Sequence, residues 1–175
     1  MRDYKELYRE AKGDMPRIYV DMDGVLCDFV LAAKRATGQN WQGLRSGQDW
    51  EAIRNTKNFW ANMPWTRDGK QLWSYLKQYK PHILSAFSPD DPNCKPGKMR
   101  WLRKEVGYTQ NFMINIVRRR EKKDFAMKGS DTIRKPAILI DDYPKNVQQF
   151  RAAGGIGILH TNTSSTINRL KKLGF

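Results

Sequence analysis

Two aspartates near the start of the chain have the types and spacing that could do chemistry. Residues 18–20 are apolar and predict a short buried strand, and Asp21 and Asp23 follow it directly. Gly24 then frees the backbone to turn. The Asp21 side chain and the backbone at Asp23 should therefore face one small space at the carboxyl end of a strand, where open α/β sheets bind ligands. Two carboxylates this close repel each other unless a cation, a shared proton or water separates them, and Mg²⁺ prefers such oxygen ligands.

Two other interpretations of this stretch compete with a cation site. An EF-hand calcium loop is excluded, because the glycine falls at the wrong loop position, Val25 stands where a ligand should, and no glutamate closes the loop. A solvated aspartate turn stays open for so short a pattern. The apolar residues on both sides, 18–20 and 25–26, favour a buried site.

A second pair of acids ends another apolar run. Residues 137–140 predict a strand that is buried on both faces, and Asp141 and Asp142 close it. Because isolated buried charge is costly, these carboxylates are expected to complete the oxygen cage begun by Asp21 and Asp23. The alternative is an exposed helix cap, a position that aspartate favours.

Strands and helices alternate along the chain, which predicts an α/β fold with a parallel sheet and helices on both faces. Strands are expected over residues 18–20, 81–85, 112–117 and 137–140, and residues 154–160 are expected to form a turn and the fifth strand. Helices are expected over residues 3–12, 29–36, 68–79, 97–106, 145–153 and 164–173, the last with Ser164 or Ser165 as its N-cap.

The stretch 38–67 is too short for a large domain and too aromatic for a linker. We interpret it as a small helical cap inserted after the first strand–helix unit, within a single domain that spans residues 1–175. Its aromatic side chains either form the core of the cap or, for Trp60 and Trp65, add a stacking wall for a substrate. The aromatic residues concerned are Trp41, Trp50, Phe59, Trp60 and Trp65.

The composition limits which partners and which cellular compartment are expected. A hydrophobic fraction of 39% with six tryptophans argues against disorder. The formal net charge of +14 predicts attraction to phosphorylated substrates or to polyanions such as nucleic acid. The two cysteines form neither a metal-spaced pair nor a disulfide framework, so a reducing cytoplasm is expected. Residues 1–16 are charged and have no apolar core, so neither a signal peptide nor a membrane partner is expected.

The motifs resemble those of a known hydrolase superfamily. Residues 21–26, Asp-Met-Asp-Gly-Val-Leu, resemble the first motif of the haloacid dehalogenase-like (HAD) hydrolases, and the match through Asp28 and Phe29 resembles more narrowly the 5'(3')-deoxyribonucleotidases of phage and bacterial type. Asp141-Asp142 resembles the fourth motif. The resemblance spans residues 17–173 but is specific only at the motifs, and it implies a Rossmann-like HAD fold. The cap departs most from the family pattern.

By this resemblance Asp21 is the nucleophile and Asp23 the general acid and base. Mg²⁺ is then held by Asp21, Asp23 and Asp142, while Asp141 supports it through water or a lysine. Ser85, at the end of an apolar strand, matches the second motif and donates to a phosphoryl oxygen.

The third motif requires a lysine, and the dense basic run 118–123 offers several. The family order of arginine, acid and lysine fits Arg120-Glu121-Lys122, which favours Lys122, with Lys123 as second choice. The resemblance also implies that Lys98 binds the substrate phosphate and that Phe29 lies beside the nucleoside.

The expected activity is Mg²⁺-dependent removal of phosphate from (deoxy)nucleoside monophosphates through an aspartyl-phosphate intermediate. One alternative is a phosphatase for the 3'- or 5'-ends of polynucleotides, which the excess positive charge would serve. A further alternative is a non-catalytic nucleic-acid-binding module on an inherited fold. The expected location is the cytoplasm, or the host cytoplasm if the protein is phage-encoded.

Overall fold

The computed structural model describes residues 15–39 and 47–175. In these ranges five strands form one parallel sheet in the order β3-β2-β1-β4-β5. The strands are β1 Ile18–Val20, β2 His82–Ala86, β3 Ile114–Val117, β4 Ile138–Asp141 and β5 Ile156–Leu159. The α-helices are α1 Phe29–Thr37, α2 Gly47–Asn55, α3 Gly69–Leu76, α4 Cys94–Trp101, α5 Pro144–Ala152 and α6 Thr163–Lys172. Shorter helical segments are the 3₁₀ turns Phe59–Ala61, Lys77–Tyr79 and Asn111–Met113, the 3₁₀ segment Arg119–Phe125 and the π-helical turn Leu102–Val106.

The register of the central strands puts the acidic strand ends side by side. Val20 of β1 is level with Ile140 of β4, and the Asp21 backbone N–H donates to the Ile140 carbonyl at 2.9 Å. Since both strands run in the same direction, Asp21, which follows β1, and Asp141, the last residue of β4, emerge at one edge of the sheet.

Helices cover both faces of the sheet because the strands are apolar on both sides. Alternate residues of a strand face opposite ways, so Ile18 and Val20 join one buried cluster while Tyr19 joins another. The first cluster includes Leu170 of α6, and the second includes Phe150 of α5. The α/β fold with a parallel sheet and helices on both faces is therefore confirmed.

The described part of the predicted cap contains α2 and the 3₁₀ turn Phe59–Ala61, and its last residues, 62–67, are non-helical. Phe59 and Trp60 are buried there, and the Trp60 indole N–H donates to Asp91 Oδ2 at 2.7 Å. The predicted helix 3–12 and Trp41 lie outside the described residues. The division into one domain with a cap stays a prediction.

Several expected bounds shift by one or two residues, such as that of β3, which begins at Ile114 and not at residue 112, and two further expectations were wrong. The helix expected over residues 97–106 begins three residues earlier, at Cys94, and its last part is π-helical. The N-cap of α6 is Asn162 and not Ser164 or Ser165, since the Asn162 side chain accepts a hydrogen bond from the Ser165 backbone N–H. None of the helices in the described ranges has the length and apolar composition that crossing a membrane requires.

Candidate active site

Three carboxylates meet at the carboxyl edge of β1 and β4. Each of Asp21, Asp141 and Asp142 offers an oxygen, and these oxygens lie within 4.8 Å of one another. Asp21 is only 6% exposed and Asp141 is buried, whereas Asp142 faces the solvent side of the cluster. The sequence thus placed acids at two strand ends far apart in the chain, and the parallel sheet brings them together.

A tight turn after β1 makes room for this cluster. Gly24 has a φ of +75°, a left-handed conformation that favours glycine. The Met22 carbonyl accepts hydrogen bonds from the backbone N–H groups of residues 25–27. A Cβ atom at Gly24 would collide with the carboxylate of Asp142. Glycine at this position therefore permits both the turn and the close approach of Asp142.

Lys122 neutralises two of the carboxylates. Its Nζ lies 2.8 Å from Asp21 Oδ2 and 2.7 Å from Asp141 Oδ2, and the residue is 1% exposed. Burial alone would lower the pKa of Lys122, but the two carboxylates outweigh it and raise that pKa. Lys123, the second choice from the sequence, is exposed. The 3₁₀ segment after β3 thus brings Lys122 into the cluster, while its neighbour faces solvent.

The charge state of Asp21 follows from these neighbours. Burial alone would raise its pKa, yet Lys122 and Lys98 hold the pKa below its ordinary value. The Met22 backbone N–H also donates to Asp21 Oδ1 at 2.8 Å, which favours the ionised form further. Asp21 is therefore a buried but ionised carboxylate, the state that a nucleophile requires.

Asp141 has its oxygens occupied by protein donors. Besides Lys122, the Tyr143 backbone N–H donates to Oδ1 at 2.9 Å, and Asn146 Nδ2 lies 3.1 and 3.0 Å from Oδ1 and Oδ2. Sequence reasoning gave Asn146 no role. Its position five residues after Asp141, in the first turn of α5, was the available signal. These contacts suit the supporting role expected for Asp141 and leave direct cation binding to its neighbours.

Asp142 is the carboxylate without a partner. Within the described ranges its side chain makes neither a hydrogen bond nor an ion pair. Desolvation and repulsion from Asp21 and Asp141 raise the pKa of Asp142 to about 7. An unneutralised carboxylate facing two others is the donor set that a hard divalent cation fits. Asp21 and Asp142, with the backbone at Asp23, are the residues that would hold Mg²⁺.

This arrangement predicts how pH and magnesium act on stability. A carboxyl group with a raised pKa in the folded protein weakens folding as pH rises from about 4, its ordinary value, to about 7. We expect Asp142→Asn to melt at a higher temperature than the wild type in EDTA at pH 8, and the difference to vanish near pH 4. Mg²⁺ should raise the melting temperature of the wild type but not that of Asp142→Asn.

Glu51→Gln provides the matched control for that comparison. It removes one negative charge from an exposed position of α2, so it should leave both the EDTA melting temperature and the magnesium response unchanged. If magnesium stabilised Asp142→Asn and the wild type equally, Asp142 would not be a cation ligand.

Lys98 connects Ser85 to Asp23. It is fully buried, and its Nζ donates to Asp23 Oδ2 at 2.6 Å, to Ser85 Oγ at 3.1 Å and to the Ala86 carbonyl at 2.6 Å. These three bonds use all three donors of an ammonium group. A direct bond from Lys98 to a substrate phosphate therefore requires one of them to be exchanged. Ser85 Oγ accepts from Lys98, which leaves its own proton to donate.

The Asp23 carboxylate lies apart from the three clustered acids. It faces Lys98, and the Cys27 thiol is 3.7 Å from its Oδ1. The expected contribution of Asp23 to the metal site was through its backbone, and this contribution stays a prediction. Its half-exposed side chain, next to the acidic cluster, is open to a leaving group or water.

The aromatic residues near the site pack mainly against each other. Phe29 is half-buried and stacks on Trp60, with ring centroids 5.6 Å apart and planes 18° from parallel. Trp60 is 4% exposed and therefore belongs to the core, not to a stacking wall. The Trp65 indole N–H donates to Glu105, and its ring lies 4.9 Å from that of Trp101. The role of Phe29 beside a nucleoside stays a prediction.

Comparison with known proteins gives a likeness of fold. No protein-family model matches the chain, and no curated protein matches it. A hydrolase from Streptococcus pneumoniae TIGR4 is similar in structure, with 14% identity, a TM-score of 0.56, and coverage of 90% of this chain and 98% of that one. Protein Tyrosine Kinase A of Mycobacterium tuberculosis is 18% identical, with a TM-score of 0.50 and coverage of 83% of this chain and 84% of that one. A HAD-superfamily hydrolase from Ehrlichia chaffeensis is 11% identical, with a TM-score of 0.47 and coverage of 92% of this chain and 98% of that one. At these identities the likeness concerns the α/β architecture alone.

Proposed function

We propose that the protein is a hydrolase of the HAD type, a Mg²⁺-dependent phosphomonoesterase that acts on nucleotides, with nucleoside monophosphates as its simplest substrates. One observation carries this proposal: Lys122 Nζ lies within 2.8 Å of Asp21 and 2.7 Å of Asp141. Residues of the first, third and fourth motifs therefore share one set of contacts. A solvated aspartate turn does not account for a lysine buried between two carboxylates.

The chemistry follows from the two aspartates of the first motif. The ionised Asp21 attacks phosphorus, so a bond forms between its oxygen and phosphorus while the bond to the leaving oxygen breaks. Asp23 donates a proton to that leaving oxygen. A water molecule then attacks the aspartyl-phosphate and loses a proton to Asp23, which releases phosphate and restores Asp21. Lys98 holds the Asp23 carboxylate in place during both steps.

Charge on the transferring group is offset by fixed positive and polar groups. Lys122 balances Asp21 and the phosphoryl oxygens, and the free proton of Ser85 can donate to one of those oxygens. Asp21 and Asp142 would hold Mg²⁺, which would supply Lewis-acid charge to the transferring group. The Asp23 backbone N–H can add a further donor, since the N–H groups of Met22 and of residues 24–27 already donate within the turn.

The nucleotide substrate class has two supports. The match through Asp28 and Phe29 resembles the deoxyribonucleotidases more than other phosphatases. The net charge of +14 also favours phosphorylated substrates.

A phosphate-release screen tests the proposal. We expect Mg²⁺-dependent release from nucleoside 5'- and 3'-monophosphates, abolished by EDTA, and weaker release from sugar phosphates. A preparation of Asp21→Asn purified in parallel measures any contaminating phosphatase. No release above that control would refute the activity, and release from sugar phosphates alone would refute the nucleotide class. The non-catalytic alternative predicts oligonucleotide binding without release from any substrate.

A further inference from the structure

A run of exposed cations borders the candidate active site. Arg118, Arg119, Arg120 and Lys123 are exposed and follow β3 at the same edge of the sheet as the carboxylates. Arg118, Arg120 and Lys123 make no ion pair in the described parts of the chain. The run therefore carries positive charge in addition to Lys122, the residue of the run that contacts the acidic cluster.

The geometry of the 3₁₀ segment directs Arg119 toward the site. A 3₁₀ helix has three residues per turn, so side chains three apart lie on the same side. Arg119 therefore lies on the side of Lys122, whose Nζ contacts Asp21 and Asp141. Its guanidinium carbon is 4.9 Å from the centre of the Tyr143 ring, a cation–π contact. Arg119 thus reaches from the end of β3 to the residue that follows Asp142.

Tyr143 is an exposed aromatic surface beside the catalytic groups. It is 42% exposed, although most large apolar side chains near the site are buried. Its backbone N–H donates to Asp141, which fixes its position at the edge of the cluster. Lys145, two residues further on, is exposed in the first turn of α5, where the helix dipole disfavours a cation. A nearby anion would offset that unfavourable placement.

We infer that Arg119 and Tyr143, with Arg118, Arg120 and Lys145, form a rim that binds the nucleotides next to the phosphorylated end of a single-stranded nucleic acid. A base stacks on the ring and guanidinium plane, and the cations neutralise the phosphodiesters. This inference rests on the proposed function, because it assigns the terminal phosphate to the site at Asp21. A mononucleotide would leave most of the rim unused.

The first experiment measures binding without turnover. An unphosphorylated, fluorescently labelled 12-nucleotide single strand carries no monoester, so wild-type protein can be titrated by anisotropy with Mg²⁺ present. We expect Arg119→Gln to weaken binding about tenfold, the size of one lost stacking contact, and to reduce the salt slope by about 0.7. Arg134→Gln is the matched control, because Arg134 is exposed in the loop that precedes β4, at the opposite end of the sheet. It should change affinity less than twofold.

The second experiment measures kcat/KM for 5'- and 3'-phosphorylated single strands against a nucleoside monophosphate. We expect Arg119→Gln to lower kcat/KM for the oligonucleotide about tenfold, which corresponds to roughly one stacking contact. It should lower kcat/KM for the mononucleotide less than about twofold, because a mononucleotide does not reach the rim. Tyr143→Phe should retain the oligonucleotide value, whereas Tyr143→Leu should lower it. These paired variants separate loss of the ring from loss of the hydroxyl.

The outcomes distinguish the two proposals. If no substrate releases phosphate but binding still depends on Arg119, the rim stands and the proposed activity fails. If mononucleotides are hydrolysed and oligonucleotides show no dependence on Arg119, the rim is refuted and the activity stands. Equal loss of binding in Arg119→Gln and Arg134→Gln, or equal competition by polyglutamate, would show that charge alone binds the strand and would also refute the rim.

Discussion

Replacing Asp21 with asparagine is expected to lower phosphate release from a nucleoside monophosphate by about 10⁴-fold or more, as removal of a nucleophile does in other enzymes. The amide cannot form the covalent intermediate, and its nitrogen faces Lys122, which lies 2.8 Å from Asp21 Oδ2. The fold should persist, because asparagine keeps an oxygen for the Met22 backbone N–H, and Lys122 keeps Asp141. The measurement is steady-state phosphate release with saturating Mg²⁺.

Asp90→Asn is the matched control for this result. Asp90 is an exposed acid in the turn-rich loop after β2, so the same chemical change there should leave turnover and circular dichroism unaltered. Rapid acid quenching with ³²P-labelled substrate should trap an acid-stable label on the wild type and none on Asp21→Asn. Undiminished hydrolysis by Asp21→Asn would remove the basis of the proposed mechanism.

Replacing Lys122 with methionine is expected to cost about 3–5 kcal/mol of folding free energy in the absence of Mg²⁺, the range seen when one partner of a buried ion pair is removed. Methionine fills much of the same volume but leaves Asp21 and Asp141 without their cation. Activity should fall as well, because the same charge balances the phosphoryl oxygens. Urea denaturation at pH 7 in EDTA measures the loss.

Two comparisons test the electrostatic origin of that loss. Lys123→Met changes the exposed neighbour and should stay within about 0.5 kcal/mol of the wild type.

The pKa of Asp21 is held below its ordinary value by Lys122, so the stability that this pair supplies is present above about pH 4 and is lost as pH falls through the lowered pKa. The gap between Lys122→Met and wild type should therefore shrink in acid. A gap that is unchanged by pH, or one matched by Lys123→Met, would contradict the buried pair.

The secondary structure was predictable wherever an apolar run had clear ends. β1 has the expected bounds, because Arg17 and Asp21 border three apolar residues. Prediction failed where neighbouring groups competed for the same role. Asn162, Ser164 and Ser165 can all cap a helix, and only the backbone geometry selects Asn162. The sequence also did not predict that α4 begins at Cys94. The buried Cys94 sulfur accepts a hydrogen bond from the Ser88 backbone N–H, a contact that forms only when the loop before the helix has folded.

The same distinction applies to the candidate site, where local features were predictable and contacts between distant residues were not. The order of the strand-end acids came from residue type and spacing within short segments, and the choice of Lys122 over Lys123 came from the resemblance to the arginine, acid and lysine order of the HAD third motif. The burial of Trp60 depends on packing against Phe29 and Asp91, the latter 31 residues away in the chain. Side chains that distant meet only after the chain has folded.

By itself the sequence determined the α/β alternation, the two acidic strand ends and the basic run beside them, because apolar periodicity and residue chemistry are local properties. The tertiary structure alone decided that Asp142 has no side-chain partner within residues 15–39 and 47–175, that Lys98 has all its donors occupied, and that Arg119 lies on Tyr143. Each of these depends on contacts between elements distant in sequence, and the parallel register of β1 to β4 places those elements side by side.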